Sequence, residues 1–378
     1  MLVANFIEEG KLGGPQVRIT EVAGLLGNQI ETIVIMPVAN SAPFRHRCDS
    51  NNVAYKTLSI SRITREWRVA LRYVLFFCPE ILNLAVVFRK GNFDLIHVSG
   101  GSWQFKGVIA GKLAGKKVLW HLNDTSAPKF IRTIFCALHG LADGFIFASE
   151  RSRTYYGPLI SADKPEFVVP APVNTENFGP DRIYPGDEEL LDKWAGKFII
   201  GTVANINPIK GLEGLIRTAK LLKGTIDNAH FVVVGPVYKN QRNYYNSLLR
   251  LCTQLGVDNV EFVGGRSDVR PLLKRFDAYV CSSRAESSPI AVWEAMAMAK
   301  AVVSTDVGDV ALYVRNGHNG FIVAVEDSEK LAERLAELHS SDETRREFGQ
   351  RARQIAVKEL DLARCAERHA KAYLAVVT

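Results

Sequence analysis

Short runs of β-branched and aromatic residues alternate with longer stretches of helical periodicity along the whole chain, the pattern of parallel sheets covered by helices. The first series of apolar runs predicts strands at 2–6, 30–36, 94–98, 117–121, 144–148 and 166–169. A second series starts afresh, with strands expected at 198–203, 230–234, 260–263, 277–281, 301–305 and 321–323. Between the two lies a stretch dense in breakers, with Pro170, Pro172, Gly179, Pro180, Pro185 and Gly186, which reads as an interdomain connection. The expected organisation is an N-terminal domain over 1–175, a linker over 176–197 and a C-terminal domain over 198–360. A helical segment over 361–378 follows, free to pack on either domain or to cross back to the first.

Composition agrees with two globular cores. The 378 residues exceed one compact core, and 47% hydrophobic against 23% charged residues leaves no room for a long disordered tract. The six cysteines form no C-x-x-C pair and no zinc-spaced cluster, so they read as reduced thiols of a cytoplasmic protein. The N-terminus opens on a strand followed by Glu8 and Glu9, unlike a secretory signal.

Charge changes the picture more. Residues 1–175 carry 20 Lys and Arg against 13 Asp and Glu, while residues 176–378 carry 27 of each kind. The excess points to an anionic partner on the first half, or to a plain solvated surface. A nucleic-acid partner is disfavoured, because no aromatic-interleaved basic motif accompanies the charge. The apolar stretch 67–88 is broken by Arg68, Arg72, Pro79 and Glu80, leaving no uncharged run near the ~20 residues of a membrane span. Arg62, Arg65, Arg68 and Arg72 are spaced 3, 3 and 4, so a helix would carry them as a cationic stripe beside Trp67, Leu71 and Leu75. Two readings fit that stripe: attachment to an anionic membrane surface, or a core helix with a solvated edge.

In open parallel sheets ligands sit beyond the C-terminal strand ends, which singles out four loops. Gly10-Lys11-Leu12-Gly13-Gly14-Pro15 places paired glycines before a helix, where backbone N–H groups can meet a phosphate. His121 closes an apolar strand and is expected to project into an opening there. Asn205-Ile206-Asn207-Pro208-Ile209-Lys210-Gly211 brings Lys210 to a helix start, a donor for a diphosphate. The fourth runs from Cys281 through Glu286, Ser288, Pro289 and Ile290 to Glu294. Ser288 is expected as N-cap and Pro289 as first helical residue, with Glu286 before the helix and Glu294 inside it. A glutamate within a Met/Ala/Val run is hard to explain as solvated surface.

In the order and spacing of these pieces the chain resembles family 4 of the retaining glycosyltransferases. The resemblance rests on Gly13-Gly14, His121, the stretch Val169 to Phe178, and Pro208 to Gly211. It rests also on Val260 to Gly264 followed by Asp268, the E-x7-E pair Glu286 and Glu294, and Asn316 to Phe321. It implies an α/β GT-B architecture, two facing Rossmann-like domains with parallel sheets and a cleft between them. It implies a nucleotide-diphosphate sugar as donor and a glycan or lipid-linked acceptor. By the same resemblance Gly13 and Gly14 approach the donor phosphates, His121 the donor sugar, Lys210 the diphosphate, Glu286 a sugar hydroxyl and Glu294 the ribose. The backbone of Val263 to Arg266, including Gly264, meets the base, and Ser288, Pro289 and Ile290 supply backbone donors. The chain departs from the family in having Asn205 where an arginine is common, Ser287-Ser288-Pro289 in a glycine-rich segment, and Ala299 in place of a glycine.

A departing diphosphate needs positive charge, which Lys210 and the helix N-termini offer. No D-x-D pair is present to hold a divalent ion, and the architecture implies metal-independent catalysis. The expected activity is retaining transfer in surface polysaccharide or glycolipid synthesis, with no cofactor beyond the nucleotide sugar. The alternatives are a sugar-nucleotide epimerase or phosphorylase on the same plan, and a catalytically silent sugar-nucleotide-binding scaffold.

Overall fold

The computed structural model describes residues 1–63 and 67–378, apart from the side chains of Asn28, Trp67 and Arg68. The chain forms two compact units, Met1–Pro172 with Leu362–Thr378, and Val173–Asp361.

The first unit is built on a seven-stranded parallel sheet: β1 (Leu2–Phe6), β2 (Glu31–Pro37), β3 (Tyr55–Leu58), β4 (Leu95–Val98), β5 (Lys117–Leu122), β6 (Gly144–Phe147) and β7 (Glu166–Val168). Their order is β3-β2-β1-β4-β5-β6-β7. β4 and β6 are buried at every position, as continuous apolar strands covered on both faces must be. The order reverses between β1 and β4, so the loops after these two strands diverge and leave a crevice at their C-terminal ends. The edge strand β3, absent from the sequence expectation, reads Tyr-Lys-Thr-Leu and is nowhere fully buried. Pairing with β2 alone makes it a strand.

The second unit repeats the plan with six strands: β8 (Phe198–Val203), β9 (Ala229–Val234), β10 (Val260–Gly264), β11 (Ala278–Cys281), β12 (Ala301–Thr305) and β13 (Gly320–Val323). They run β10-β9-β8-β11-β12-β13, with the reversal between β8 and β11. Residues 176–197 are not a free linker. Their helix Glu188–Lys193 ends at Trp194, whose fully buried ring joins Val173, Phe276 and Val232 in the core of this unit. Breaker density marked a change of direction, and the tryptophan anchors the segment to the second unit.

The terminal helix Leu362–Val377 belongs to the first unit. Leu362, Cys365, Ala366, Tyr373 and Val376 pack with Val3, Leu95, Leu119 and Ile146. On the other face of that sheet the long helix Trp67–Lys90 is fastened by a buried ion pair. Lys106 Nζ, fully buried, lies 2.5 Å from Glu80 Oε2, donates to Ser61 O and Oγ at 2.8 and 2.9 Å, and sits 3.7 Å from the centre of the Tyr73 ring. A buried charge is tolerated when its donors are satisfied in this way.

Of the six described non-glycine residues with left-handed φ, Ala299 bears most on the second sheet. Ala299, in the turn before β12, has φ +55°, a left-handed conformation that costs a side-chain-bearing residue roughly 1 kcal/mol. Ala299→Gly is expected to stabilise the second unit by about 0.5–1 kcal/mol in urea unfolding; a loss of stability would show that the methyl group packs more favourably than the strain costs.

Candidate active site

The loops at the reversal point of the second unit carry most of the predicted residues. β8 runs into Ala204 and Asn205, and Gly235 allows this turn to pass close to β9, since a Cβ there would lie 2.0 Å from Ala204 O. The chain then makes a single turn, Pro208–Lys210, capped by the Asn207 side chain, and leaves it through Gly211 at φ +59°. A side chain at Gly211 would meet Ser282 O at 2.1 Å, so glycine is what lets the loops after β8 and β11 touch. Ser282 Oγ donates to Lys210 O at 3.0 Å, and Arg284 N donates to Ile209 O at 2.7 Å.

That clamp sets Lys210 against Glu286. Their Nζ to Oε1 distance is 2.6 Å, both side chains are largely buried, and Ser283 Oγ donates to the same oxygen at 2.9 Å. Lys210 therefore does not stand as a lone cation. Its charge is held by a carboxylate that an incoming anion can replace.

The following helix is Ile290–Ala297, with Pro289 at its N-cap position and no side-chain cap. The expectation of Ser288 as N-cap is corrected: its hydroxyl accepts the indole N–H of Trp293 at 3.1 Å. Burial of Trp293 drew that oxygen away from the helix end. Val292 N donates to Pro289 O at 3.0 Å, so the N–H groups of Ile290 and Ala291 are those that the uncapped helix start can offer to an anion. Glu294, half-buried, lies on this helix between the fully buried Trp293 and Ala295. Ser287 O accepts from Asp309 N at 3.2 Å, and Gly308 at φ +52° leaves no room for a Cβ beside that carbonyl. Beyond β10, Gly264 has φ +77° and Arg266 Nε pairs with Asp187 at 2.8 Å, so the Arg266 side chain is engaged and its backbone is the free feature of that turn.

In the first unit Gly13 is the N-cap of the helix Gly14–Leu26, in extended conformation, and a Cβ there would meet only the Gln16 side chain, at 3.3 Å. The glycine this loop requires is Gly10, where a Cβ would lie 2.3 Å from Ala39 O.

His121 differs from its expectation. It does not project into an opening; it is fully buried on β5 and stacked on His97 from β4, with His369 of the terminal helix alongside. Ser99 Oγ donates to Asn5 Oδ1 at 2.9 Å, and the Asn5 amide nitrogen and the Tyr373 hydroxyl lie 3.2 and 2.7 Å from His97 Nδ1. His97 Nε2 lies 3.1 Å from His121 Nδ1, so the two rings share a hydrogen bond. His121 Nε2 and Asn123 Nδ2 are buried without a protein partner among the described residues. Beside them lies Arg18, 4% exposed, bonded to Asn123 Oδ1 at 3.0 Å and paired with no carboxylate among the described residues.

Burial, reinforced by Arg18 and by one another, holds His97 and His121 well below the ordinary imidazole range, and burial with Arg18 pulls His369 down to about 3. The three rings bring possible ligand atoms within 4.8 Å. The cation that resists protonation there also opposes a divalent ion.

These shifts have a consequence for folding. Below pH 6.5 the unfolded chain takes up three protons that the folded rings refuse. Glu8, pushed up to about 8 chiefly by burial, works the other way and holds one proton that the unfolded chain releases until about pH 4.5. Glu21 and Asp124, whose carboxyls burial also raises, offset the imidazoles in the same direction as Glu8, so stability of the first unit should fall from pH 6 to pH 5 by less than three refused protons alone would give. Guanidinium unfolding at the two pH values checks this; equal midpoints would contradict it.

The cationic stripe is only partly present. Arg62 precedes the helix Trp67–Lys90 and forms an ion pair with Glu9, which draws it off the helix line. Arg65 lies outside the described residues, as does the Arg68 side chain, while Arg72 is exposed with its guanidinium 5.8 Å from the Phe76 ring centre. The same helix shows an unexpected exposed face: Leu71, Leu75, Leu82 and Val86, spaced 4, 7 and 4, are 51%, 65%, 62% and 45% exposed. Its Val69–Lys90 portion is long and apolar enough to cross a membrane by length and composition alone, a test that core helices also pass, and Arg72 and Glu80 still interrupt it. Its opposite face, with Leu84 and Phe88, is nonetheless core.

Residues 189–355 match the family described as Glycosyl transferases group 1. The chain is 31% identical over 208 residues to the putative glycosyltransferase EpsD of Bacillus subtilis, covering 54% of this chain and 52% of that protein, so it spans about half of that relative. It is 25% identical over 383 residues to the N,N'-diacetylbacillosaminyl-diphospho-undecaprenol alpha-1,3-N-acetylgalactosaminyltransferase of Campylobacter jejuni, covering 95% of each. In fold it is similar to Anabaena Alr3699/HepE, whose crystal structure is in complex with UDP, with TM-score 0.84, 20% identity and coverage of 99% and 100%.

Proposed function

The chain is a family 4 glycosyltransferase of GT-B fold, and from that premise we propose that it moves a sugar from a nucleotide diphosphate to a lipid-linked saccharide, with retention of anomeric configuration and without a metal ion. The observation that carries this reading is the Lys210–Glu286 pair at the reversal point of the second unit, beside the start of the helix Ile290–Ala297.

In the absence of donor, Glu286 neutralises Lys210. A diphosphate arriving at the helix start competes for Lys210, and the released carboxylate is free to accept a sugar hydroxyl. One exchange of partners thus binds the leaving group and orients the ring. As the glycosidic bond stretches, charge builds on the diphosphate, where Lys210 and the helix N–H groups stabilise it most. The leaving phosphate is basic enough to take the acceptor proton, so no side chain is needed as base. Glu294 binds the ribose, while His121, fully buried against His97 and His369, takes no part in donor binding. Asn205 brings no charge to this site, which places the leaving-group burden on Lys210.

The lipid-linked acceptor is favoured by the Campylobacter relative named for an undecaprenyl diphosphate substrate and by the exposed apolar face of the helix Trp67–Lys90. That helix is read as lying in the membrane interface, with Arg72 at the headgroups and the Leu84 face on the protein core. Burying one leucine contributes about 1.5–3 kcal/mol, so Leu75→Glu with Leu82→Glu should lower co-sedimentation with anionic phosphatidylglycerol vesicles at least tenfold. Unchanged sedimentation would remove the membrane from this account.

The function itself is tested by screening nucleotide sugars for thermal stabilisation, UDP sugars first, and then asking whether nucleoside diphosphate appears only with acceptor. Binding without transfer to any acceptor would favour the silent scaffold.

A further inference from the structure

The loop that carries Glu286 also carries Arg284, whose half-buried side chain reaches back to the turn that presents Lys210. Its Nη1 donates to Pro208 O at 2.6 Å and to Glu213 Oε2 at 3.1 Å, and its Nε donates to Glu326 Oε1 at 2.7 Å. We propose that Arg284 is the positioning residue of the leaving-group cation: its guanidinium fixes the turn Pro208–Lys210 so that the Lys210 ammonium stays at the start of the helix Ile290–Ala297. The proposal rests on the reading of Lys210 as the group that stabilises the departing diphosphate.

The carbonyl contact is the informative one. Pro208 opens the single turn and Lys210 closes it. Arg284 N holds Ile209 O and Ser282 Oγ holds Lys210 O, so with Arg284 Nη1 on Pro208 O all three carbonyl oxygens of the turn accept hydrogen bonds from the loop after β11. A lysine has a long flexible stem, and its ammonium is held in one place only when the backbone that bears it is fixed.

The guanidinium is itself anchored from two sides. Glu213 stands in the first turn of the helix Leu212–Leu222, directly after the Lys210 turn, and Tyr244 Oη donates to its Oε2 at 2.9 Å. Glu326 lies in the turn after β13 with φ +67°, a left-handed conformation unfavourable to a residue with a Cβ, and from there its carboxylate meets Arg284. Two carboxylates compensate the charge, so Arg284 is engaged as a brace and Lys210 faces the diphosphate. A planar fork of N–H donors can span a carbonyl and two carboxylates at once, which an ammonium cannot.

The test is a double-mutant cycle on the full chain, read as transfer from the best-stabilising nucleotide sugar to a polyprenyl-diphosphate-linked N-acetylhexosamine in vesicles. Arg284→Ala keeps the bonds that Arg284 N and Ser282 Oγ make to the turn, so the fold should survive. Its kcat should fall about 10- to 30-fold with donor KM changed less than about threefold, and Arg284→Lys should recover only part of the loss. In the Lys210→Ala background the same substitution should change kcat less than about twofold, because it acts through the lysine. Independently of turnover, acetic anhydride should label Lys210 at least about threefold faster in Arg284→Ala, measured by mass spectrometry against Lys117 of the first unit, because the loosened turn frees the ammonium. Wild-type turnover in Arg284→Ala, losses that multiply in the double variant, or unchanged labelling of Lys210 would each overturn the proposal. Wild-type turnover in Lys210→Ala would sink the leaving-group reading as well, whereas an impaired Lys210→Ala beside an unimpaired Arg284→Ala would sink the positioning role alone.

Discussion

Lys210→Ala is expected to lower turnover by two to three orders of magnitude while changing the donor KM less than tenfold. The lysine is the side-chain cation that the loops after β8 and β11 bring to the helix start, and its ammonium lies 2.6 Å from Glu286. In the ground state helix N–H groups can still hold a diphosphate. In the transition state charge flows onto the leaving oxygen, and removing one preorganised donor at such a point costs about 3–4 kcal/mol. The substitution also leaves Glu286 without its counter-ion. Ser283 still donates to it, so the fold should survive with a small loss in midpoint temperature. Steady-state kinetics with a saturating acceptor decide the matter. A variant with normal kcat and a raised KM would make Lys210 a binding residue only.

Glu294→Ala is expected to raise the donor KM by roughly 10- to 100-fold, with a smaller fall in kcat. A carboxylate accepting hydroxyl hydrogen bonds contributes about 1.5–3 kcal/mol, and the ribose is bound alike before and during reaction, so the loss should fall mainly on KM. The helix Ile290–Ala297 holds Glu294 rigidly, flanked by the buried Trp293 and Ala295. Glu294→Gln keeps an acceptor oxygen and should recover part of the loss. Equal KM values in wild type and Glu294→Ala, or a purely structural defect visible as a large drop in thermal midpoint, would remove the ribose assignment.

Strand periodicity made both sheets legible from sequence, because buried parallel strands such as β4, β6 and β12 are unbroken apolar runs. Strand-end loops then pointed to Lys210, Glu286 and Glu294. What sequence reasoning missed depends on contacts between distant residues. His97 and His369 meet His121 only because the terminal helix returns to the first sheet, and no local pattern announces that. Lys106 and Glu80 look like surface residues of two helices until those helices pack. The helix start moved from Pro289 to Ile290 because Ser288 serves Trp293, a choice set by core packing rather than by capping preference.

The most direct measurement of the central claim is release of nucleoside diphosphate from the best-stabilising nucleotide sugar, with and without a polyprenyl-diphosphate-linked N-acetylhexosamine in vesicles. Release should depend on the acceptor, labelled sugar should pass into the lipid fraction with the donor's anomeric configuration, and both should be lost in Lys210→Ala. Release at the same rate without acceptor, or tight donor binding with no transfer, would contradict it.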